Sequence, residues 1–216
     1  MEKISRLIDS TVLKADATAK DIEALCLEAR REEFRTVCIN PCWVSYAHTL
    51  LAGSSTGVCT VVGFPLGANT PAVKAYEAAQ AVKDGADEVD MVINIGRLKA
   101  GDDDYVRDEI AEVKRAVGSH TLKVILECCL LTDEEKERAC RLCVEAHADF
   151  VKTSTGFSKG GATAHDVALM RRVVGPEMGV KAAGGVRSYA DLEAMVEAGA
   201  NRIGTSHGKA IIDSKK

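Results

Sequence analysis

The sequence predicts an α/β chain closed into a (β/α)8 barrel, a single domain over residues 1–216. Three observations carry that prediction. Eight short runs rich in β-formers recur along the chain, amphipathic helical stretches lie between them, and three junctions repeat one helix-turn-strand pattern. The strand runs are 4–11, 36–40, 58–63, 88–93, 122–127, 150–154, 179–183 and 202–205. Among the helices, Ile22, Leu25, Cys26 and Ala29 recur at i, i+3, i+4 and i+7, and Val106, Ile110, Val113 and Val117 keep a similar stripe. Thr18-x-x-Asp21, Thr132-x-x-Glu135, Thr163-x-x-Asp166 and Ser188-x-x-Asp191 each have the form of a capping box and mark helix starts. Segments 84–89, 146–151 and 198–203 each read as a helix end, a tight turn and a new strand. This alternation fits a compact TIM barrel. An open doubly wound sheet is the other arrangement of such units, but no G-x-G-x-x-G follows the first strand.

Composition narrows the function classes. Hydrophobic residues at 46% and charged residues at 28% exclude a disordered chain. The net charge of -4 comes without a basic block, so no nucleic-acid or anionic-membrane partner is expected. Met1-Glu2-Lys3-Ile4 lacks the apolar stretch of a signal peptide, no run is long enough to span a membrane, and Lys215-Lys216 reads as a solvated tail. A cytoplasmic protein is expected. Of the eight cysteines, Cys38, Cys59 and Cys128 lie in apolar strand-like runs and Cys26 on an apolar helix face. Cys140-x-x-Cys143, close to Cys128-Cys129, raises the question of a metal or redox site. Leu142, Cys143 and Ala146 share a helical pattern with Ala139, however, which makes these thiols small core residues. Neither a metal site nor a disulfide framework is expected. His48, His120, His147 and His165 are dispersed and form no ligand pattern.

The chemistry lies in charges placed inside strands. Parallel strands covered on both faces should be nearly continuous apolar runs. In 88–93, Val89 and Met91 suit the helix side, which turns Asp90 inward; Val151 and Val180 likewise turn Lys152 and Lys181 inward. Lys123 and Glu127 are expected to share a face of run 122–127. A single strand lysine is adequately explained by a side chain snorkelling to water. Two lysines at matching positions of adjacent strands, with an inward aspartate, are not. Neighbouring strands lie about 4.8 Å apart, so two inward ammonium groups can approach to roughly 5 Å. At an effective dielectric near 20 their repulsion is about 3 kcal/mol, roughly two pKa units, leaving a fraction of free amine at neutral pH. A free amine is what Schiff-base formation requires, and Asp90 is expected to move protons without pairing too tightly. These residues alone leave open which lysine attacks.

Glycines mark a second feature. Gly184-Gly185-Val186-Arg187-Ser188 follows the seventh strand, and Gly204-Thr205-Ser206-His207-Gly208 lies at the eighth, each leading into a helix. Taken separately, each pair suits a tight barrel turn. Together, at the two loops that hold phosphate in many such barrels, they favour an anion site, with Thr155-Gly156-Phe157 extending the wall. His207 beside them is given no catalytic role.

Residues 151–157, 89–94 and 180–187 together resemble motifs of the deoxyribose-phosphate aldolase family, as do 8–14, 61–67 and 202–206. The resemblance covers nearly the whole chain. It implies a class I aldolase that reversibly cleaves 2-deoxy-D-ribose 5-phosphate to D-glyceraldehyde 3-phosphate and acetaldehyde, in deoxyribose phosphate catabolism. Matched position by position, Lys152 forms the Schiff base, and Lys181 and Asp90 form the proton donor and acceptor pair. Gly184, Gly185, Val186, Arg187, Gly204, Thr205 and Ser206 hold the phosphate, and Thr153 and Gly156 also contact substrate. No metal and no cofactor are implied, because the iminium itself is the electron sink; a homo-oligomer, dimer or higher, is. Ser10 stands where the family often has His, His207 where a second Ser commonly follows, and the sequence ends at Lys216 without the C-terminal tyrosine of some members. These departures bear on phosphate affinity and proton transfer rather than on reaction class. Cys38 matches a cysteine near the family's active site, which implies sensitivity to thiol reagents and aldehydes. Another phosphosugar aldolase or isomerase would share the glycine loops without needing two strand lysines and an Asp. A non-catalytic phosphosugar-binding barrel would be expected to lack one of those three charges.

Overall fold

A computed structural model describes residues 3–215; the readings made on Met1, Glu2 and Lys216 fall outside the described residues. Eight strands, β1 (Ile8–Val12), β2 (Thr36–Ile39), β3 (Gly57–Val62), β4 (Glu88–Val92), β5 (Thr121–Ile125), β6 (Phe150–Lys152), β7 (Gly179–Ala183) and β8 (Arg202–Thr205), pair in chain order and in parallel. β1 also pairs with β8, which closes the barrel. The connecting helices are α1 (Ala19–Glu32), α2 (Val44–Leu50), α3 (Pro71–Lys83), α4 (Ile95–Lys99), α5 (Asp103–Val117), α6 (Asp133–Glu145), α7 (Ala164–Val174), α8 (Tyr189–Glu197) and α9 (Gly208–Asp213). Among the described residues, no helix is long and apolar enough to cross a membrane.

The apolar stripes do what their spacing predicts. Ile22, Leu25, Cys26 and Ala29 of α1, and Val106, Ile110, Val113 and Val117 of α5, are buried against the outer face of the sheet. Val89, Met91, Val151 and Val180 meet them from the strand side, and Cys140 and Cys143 lie in the same core. At the three repeated junctions the middle position takes a positive φ, 108° at Gly85, 58° at His147 and 111° at Gly199. Two residues on, Asp87, Asp149 and Asn201 each accept a backbone N–H from the start of the preceding strand, at Val58 (2.7 Å), Leu122 (2.8 Å) and Val180 (2.9 Å). The repeat is thus a device that ends a helix and ties two strand starts together.

Two runs are corrected. Residues 4–11 do not form one strand: Ile4–Leu7 is a 3-10 turn and β1 begins at Ile8. Arg6 explains this, because its Nη1 donates to the carbonyls of Glu33, Phe34 and Ser55 and draws the segment beneath the starts of β2 and β3. Run 122–127 ends as a strand at Ile125, since Glu127 adopts a left-handed conformation (φ 58°) and opens a 3-10 turn at Cys128–Leu130. Lys123 and Glu127 therefore do not share a strand face, and Cys128 lies in a turn rather than a strand. At the helix starts, Thr18, Thr132 and Ser188 form complete capping boxes. Thr163 only half completes one: it accepts from the Asp166 N–H, while the Asp166 carboxylate ion-pairs with Lys136 at 2.6 Å.

Candidate functional site

Parallel register brings the inward charges together. Asp90 lies opposite Lys123, Lys152 opposite Lys181, and Lys181 opposite Arg202. Asp90 is fully buried and accepts from Lys123 at Oδ1 (2.7 Å) and from both Lys152 and Lys181 at Oδ2 (2.8 Å each). The three charges read from the sequence thus meet at one carboxylate. Four further residues complete the cluster and were missed as a group: Asp9, Glu88, Lys123 and Arg202. Asp9 Oδ2 is 2.5 Å from Lys181 as an ion pair without hydrogen-bond alignment, and its Oδ1 accepts from Arg202 (2.9 Å) and Thr36 (2.8 Å). Glu88 Oε2 is 2.5 Å from Lys123 and 2.9 Å from Arg202. The signal was present, since each is a charge within a β run, but three of them sit at or near strand starts, where solvent exposure is the ordinary reading.

Inside the barrel, then, four cationic side chains face three carboxylates. Burial pushes the Asp90 carboxyl up, but Lys123, Lys152 and Lys181 outweigh it and hold it well below the usual carboxylate range. Burial pushes the Lys181 ammonium down, yet Asp9 and Asp90 outweigh it and hold its proton above the usual lysine range. Lys123 is raised in the same way, chiefly by Asp90. This corrects the electrostatic expectation. Asp90 pairs tightly with all three lysines, so lysine–lysine repulsion does not dominate, and Lys181 stays a cation.

Above the cluster opens a cavity of about 800 Å³, walled by the ends of β1, β6, β7 and β8 and the loops that follow them. Of the three Asp90-bound lysines, Lys152 lines it, whereas Lys123 and Lys181 are fully buried beneath. Gly156, Gly184, Gly185, Val186, Arg187, Gly204, Thr205 and Ser206 all line the cavity, as does His207, whose Nδ1 is 3.1 Å from Ser206 Oγ. At Gly156 and Gly185 (φ 85° each) a Cβ would meet nothing within 4 Å, so bare backbone faces the cavity there. Gly204 has another reason: a Cβ would come 3.0 Å from Lys181 Cε, so its absence makes room for that lysine. The two glycine loops are tied together by Thr205 Oγ1, which donates to the Val186 carbonyl at 2.6 Å.

Thr153 does not line the cavity. It is fully buried, and its hydroxyl donates to the Ala183 carbonyl and accepts from the Ala183 N–H, both at 3.1 Å, clasping β6 to β7. The reason is parity: Thr153 follows the inward Lys152 and points the other way. Glu127 anchors the wall instead, accepting from the Thr155 N–H at 3.3 Å and from the Thr155 hydroxyl.

Residues 4–214 match the model of the DeoC/LacD family of aldolases. The chain is 61% identical over 213 residues to the deoxyribose-phosphate aldolase of Lysinibacillus sphaericus (strain C3-41), covering 98% of this chain and 96% of that one. It is 60% identical over 213 residues to that of Geobacillus sp. (strain WCH70), with the same coverage. Among solved structures, the tetrameric deoxyribose phosphate aldolase of Aeropyrum pernix superposes with a TM-score of 0.88 at 34% identity, over 97% of this chain and 89% of that one. A buried lysine–carboxylate cluster under a glycine-walled cavity, at the C-terminal ends of barrel strands, agrees with these likenesses: the chain belongs to the DeoC/LacD family of aldolases.

Proposed function

We propose that this aldolase cleaves 2-deoxy-D-ribose 5-phosphate reversibly to D-glyceraldehyde 3-phosphate and acetaldehyde through an imine on Lys152. One observation carries the assignment of roles: Lys152 is the Asp90-bound lysine that lines the cavity. Its amine adds to the substrate aldehyde and loses water to give an iminium. That cation forms 2.8 Å from a carboxylate held ionised, which stabilises it. With four cations against three carboxylates, the cluster tolerates loss of one proton, which is the state in which an amine attacks. The C2–C3 bond then breaks, with the C3 hydroxyl proton leaving and the electron pair drawn into the iminium as an enamine. Proton return to C2 and hydrolysis release acetaldehyde. Lys181, which rests protonated, is the donor and Asp90, which rests ionised, the acceptor for these protons. The phosphate rests on the loops 184–187 and 204–206, with Gly156 on the adjoining wall, where bare glycine backbone faces the cavity and lets an anion approach closely.

The test is to incubate with substrate, reduce with borohydride and locate the adduct by peptide mass spectrometry. An adduct on Lys152 with release of acetaldehyde is expected. An adduct confined to Lys181, or neither adduct nor acetaldehyde, overturns the assignment. Homo-oligomeric assembly in the cytoplasm belongs to the same reading, supported by the tetrameric relative and by eight free thiols. A monomer in sedimentation, or recovery outside the cytoplasmic fraction, would count against it.

A further inference from the structure

Cys38 of β2 and Cys59 of β3 are directly registered neighbours, and both lie inside the barrel rather than in the helix-facing core. Cys59 Sγ is 3.2 Å from Asp90 Oδ1 and 3.4 Å from Lys123 Nζ. The two sulfurs and the Asp90 oxygen lie within 4.8 Å of one another. Registered strand neighbours are about 4.8 Å apart, inside the Cα separation a disulfide requires, and inward Cβ atoms of a closed barrel converge further. We propose that Cys38 and Cys59 form an oxidisable dithiol, which a peroxide converts to a disulfide that switches off the site.

The two thiols are not equivalent. The hydrogen bond from Cys59 lowers the Cys38 thiol below its ordinary range against burial, and the charges of Lys181 and Lys152 act in the same direction. Burial raises Cys59 well above its ordinary range, so Cys59 keeps its proton, and its Sγ donates to Asp90 Oδ1 at 3.2 Å. Cys38 is therefore the nucleophile and Cys59 the resolving thiol. The Cys38 thiol gives its proton to the charged cluster, the thiolate attacks one peroxide oxygen, the O–O bond breaks, and the hydroxide released takes that proton back to leave as water. The sulfenic acid so formed is attacked by the Cys59 sulfur, the S–S bond closes, and a second water departs with the Cys59 proton. Two thiols and one hydrogen peroxide give one disulfide and two waters, sulfur losing the two electrons that peroxide gains.

Both sulfurs are buried, but the path is short. Lys152 lines the cavity and binds one oxygen of the Asp90 carboxylate whose other oxygen faces Cys59. Leu13 of the cavity wall packs on the same two cysteines. A two-heavy-atom oxidant needs less room than an aldehyde substrate. Closing the bond draws the sulfurs to about 2.05 Å, which takes Cys59 away from Asp90. A shift of about 1 Å in such a cluster is enough for about a hundredfold loss of turnover.

The experiment treats the purified full chain with hydrogen peroxide, blocks free thiols, and maps peptides without reduction. A Cys38–Cys59 cross-link about 2 Da lighter than the paired thiols is expected, together with loss of turnover that dithiothreitol restores. In Cys59→Ala the Cys38 peptide should instead gain about 32 Da as sulfinic acid, with no rescue. The wild-type map is decisive even if that variant fails to fold. Both thiols still free to alkylation after inactivation, or cross-links only through Cys42 or Cys129, overturn the proposal. The cross-link is read without substrate, so it fails or stands independently of the imine on Lys152.

Discussion

Asp90 serves three lysines and Lys181 serves two carboxylates, and the difference decides what their loss should do. Lys181→Leu leaves three cations facing three carboxylates, a balanced cluster. It should fold with a stability loss of about 1–2 kcal/mol in urea unfolding, while turnover falls about 10³-fold. Asp90→Asn leaves four cations against two carboxylates inside the barrel and should cost about 3–5 kcal/mol, enough to show as a much lower urea midpoint. If Lys181→Leu retains near wild-type turnover, its role in proton transfer is wrong. If Asp90→Asn is the milder change in stability, the cluster is not held by charge balance. Asp90, Lys152 and Lys181 were legible because each interrupts an apolar run. Asp9 and Arg202 were not, because a charge toward the end of a run, as Asp9 in 4–11, or at its first position, as Arg202 in 202–205, is unremarkable until closure brings β1 against β8.

At the level of elements, the loop after β6 leans on the loop after β7. A Cβ at Gly161 would lie 2.3 Å from the Gly184 carbonyl oxygen, and Ala162 N–H donates to that same oxygen at 2.9 Å. Gly161→Ala should therefore displace Gly184 and weaken binding of the phosphorylated substrate, raising KM about tenfold with a smaller effect on kcat. Steady-state kinetics checks this; an unchanged KM would separate loop 184–187 from substrate binding. The repeated junction offers a second test. His147 occupies the slot that Gly85 and Gly199 fill, at φ 58°, so His147→Gly should stabilise by about 0.5–1 kcal/mol in chemical unfolding. The repeat itself was visible in 84–89, 146–151 and 198–203; the carboxylate and amide ties across strand starts were not, because they join residues at least 20 positions apart.

For the molecule as a whole, stability against pH has two edges set by different groups. Asp9 and Asp90 are held below the usual carboxylate range, so the stability they add is present above about pH 4, the unfolded value, and is lost as pH falls below it. On the alkaline side, burial pushes the Cys26 thiol to about 11 and Cys140 to about 12, and raises Cys128 and Cys143 as well. Unfolded thiols ionise near pH ~8.5, so this stability is complete below that value and drains away as pH rises through the folded values. The stability added by the raised lysines is likewise complete below about pH 10.4, their unfolded value, and is lost only above it. Tm should thus hold between about pH 5 and 8 and fall from about pH 8.5, and Cys140→Ala should flatten that fall. A plateau extending beyond pH 10 would show that buried thiols do not set the alkaline edge.

Strand and helix periodicity, capping residues and glycine turns act over a few positions, so the barrel, its helical faces and the inward direction of Lys152, Lys181 and Asp90 were determined by the sequence alone. Closure of the barrel decided the rest. It made neighbours of Asp9 and Arg202, set Lys123 on Asp90, turned Thr153 into a clasp between strands, and placed Cys38 beside Cys59. These relations depend on register and on which strand faces which across the interior. A charge's partners, and hence whether a lysine keeps or yields its proton, are set by distances of a few ångströms between residues far apart in the chain. That is why the reactive residue types could be read from the sequence, while the electrostatic state of the cluster could not.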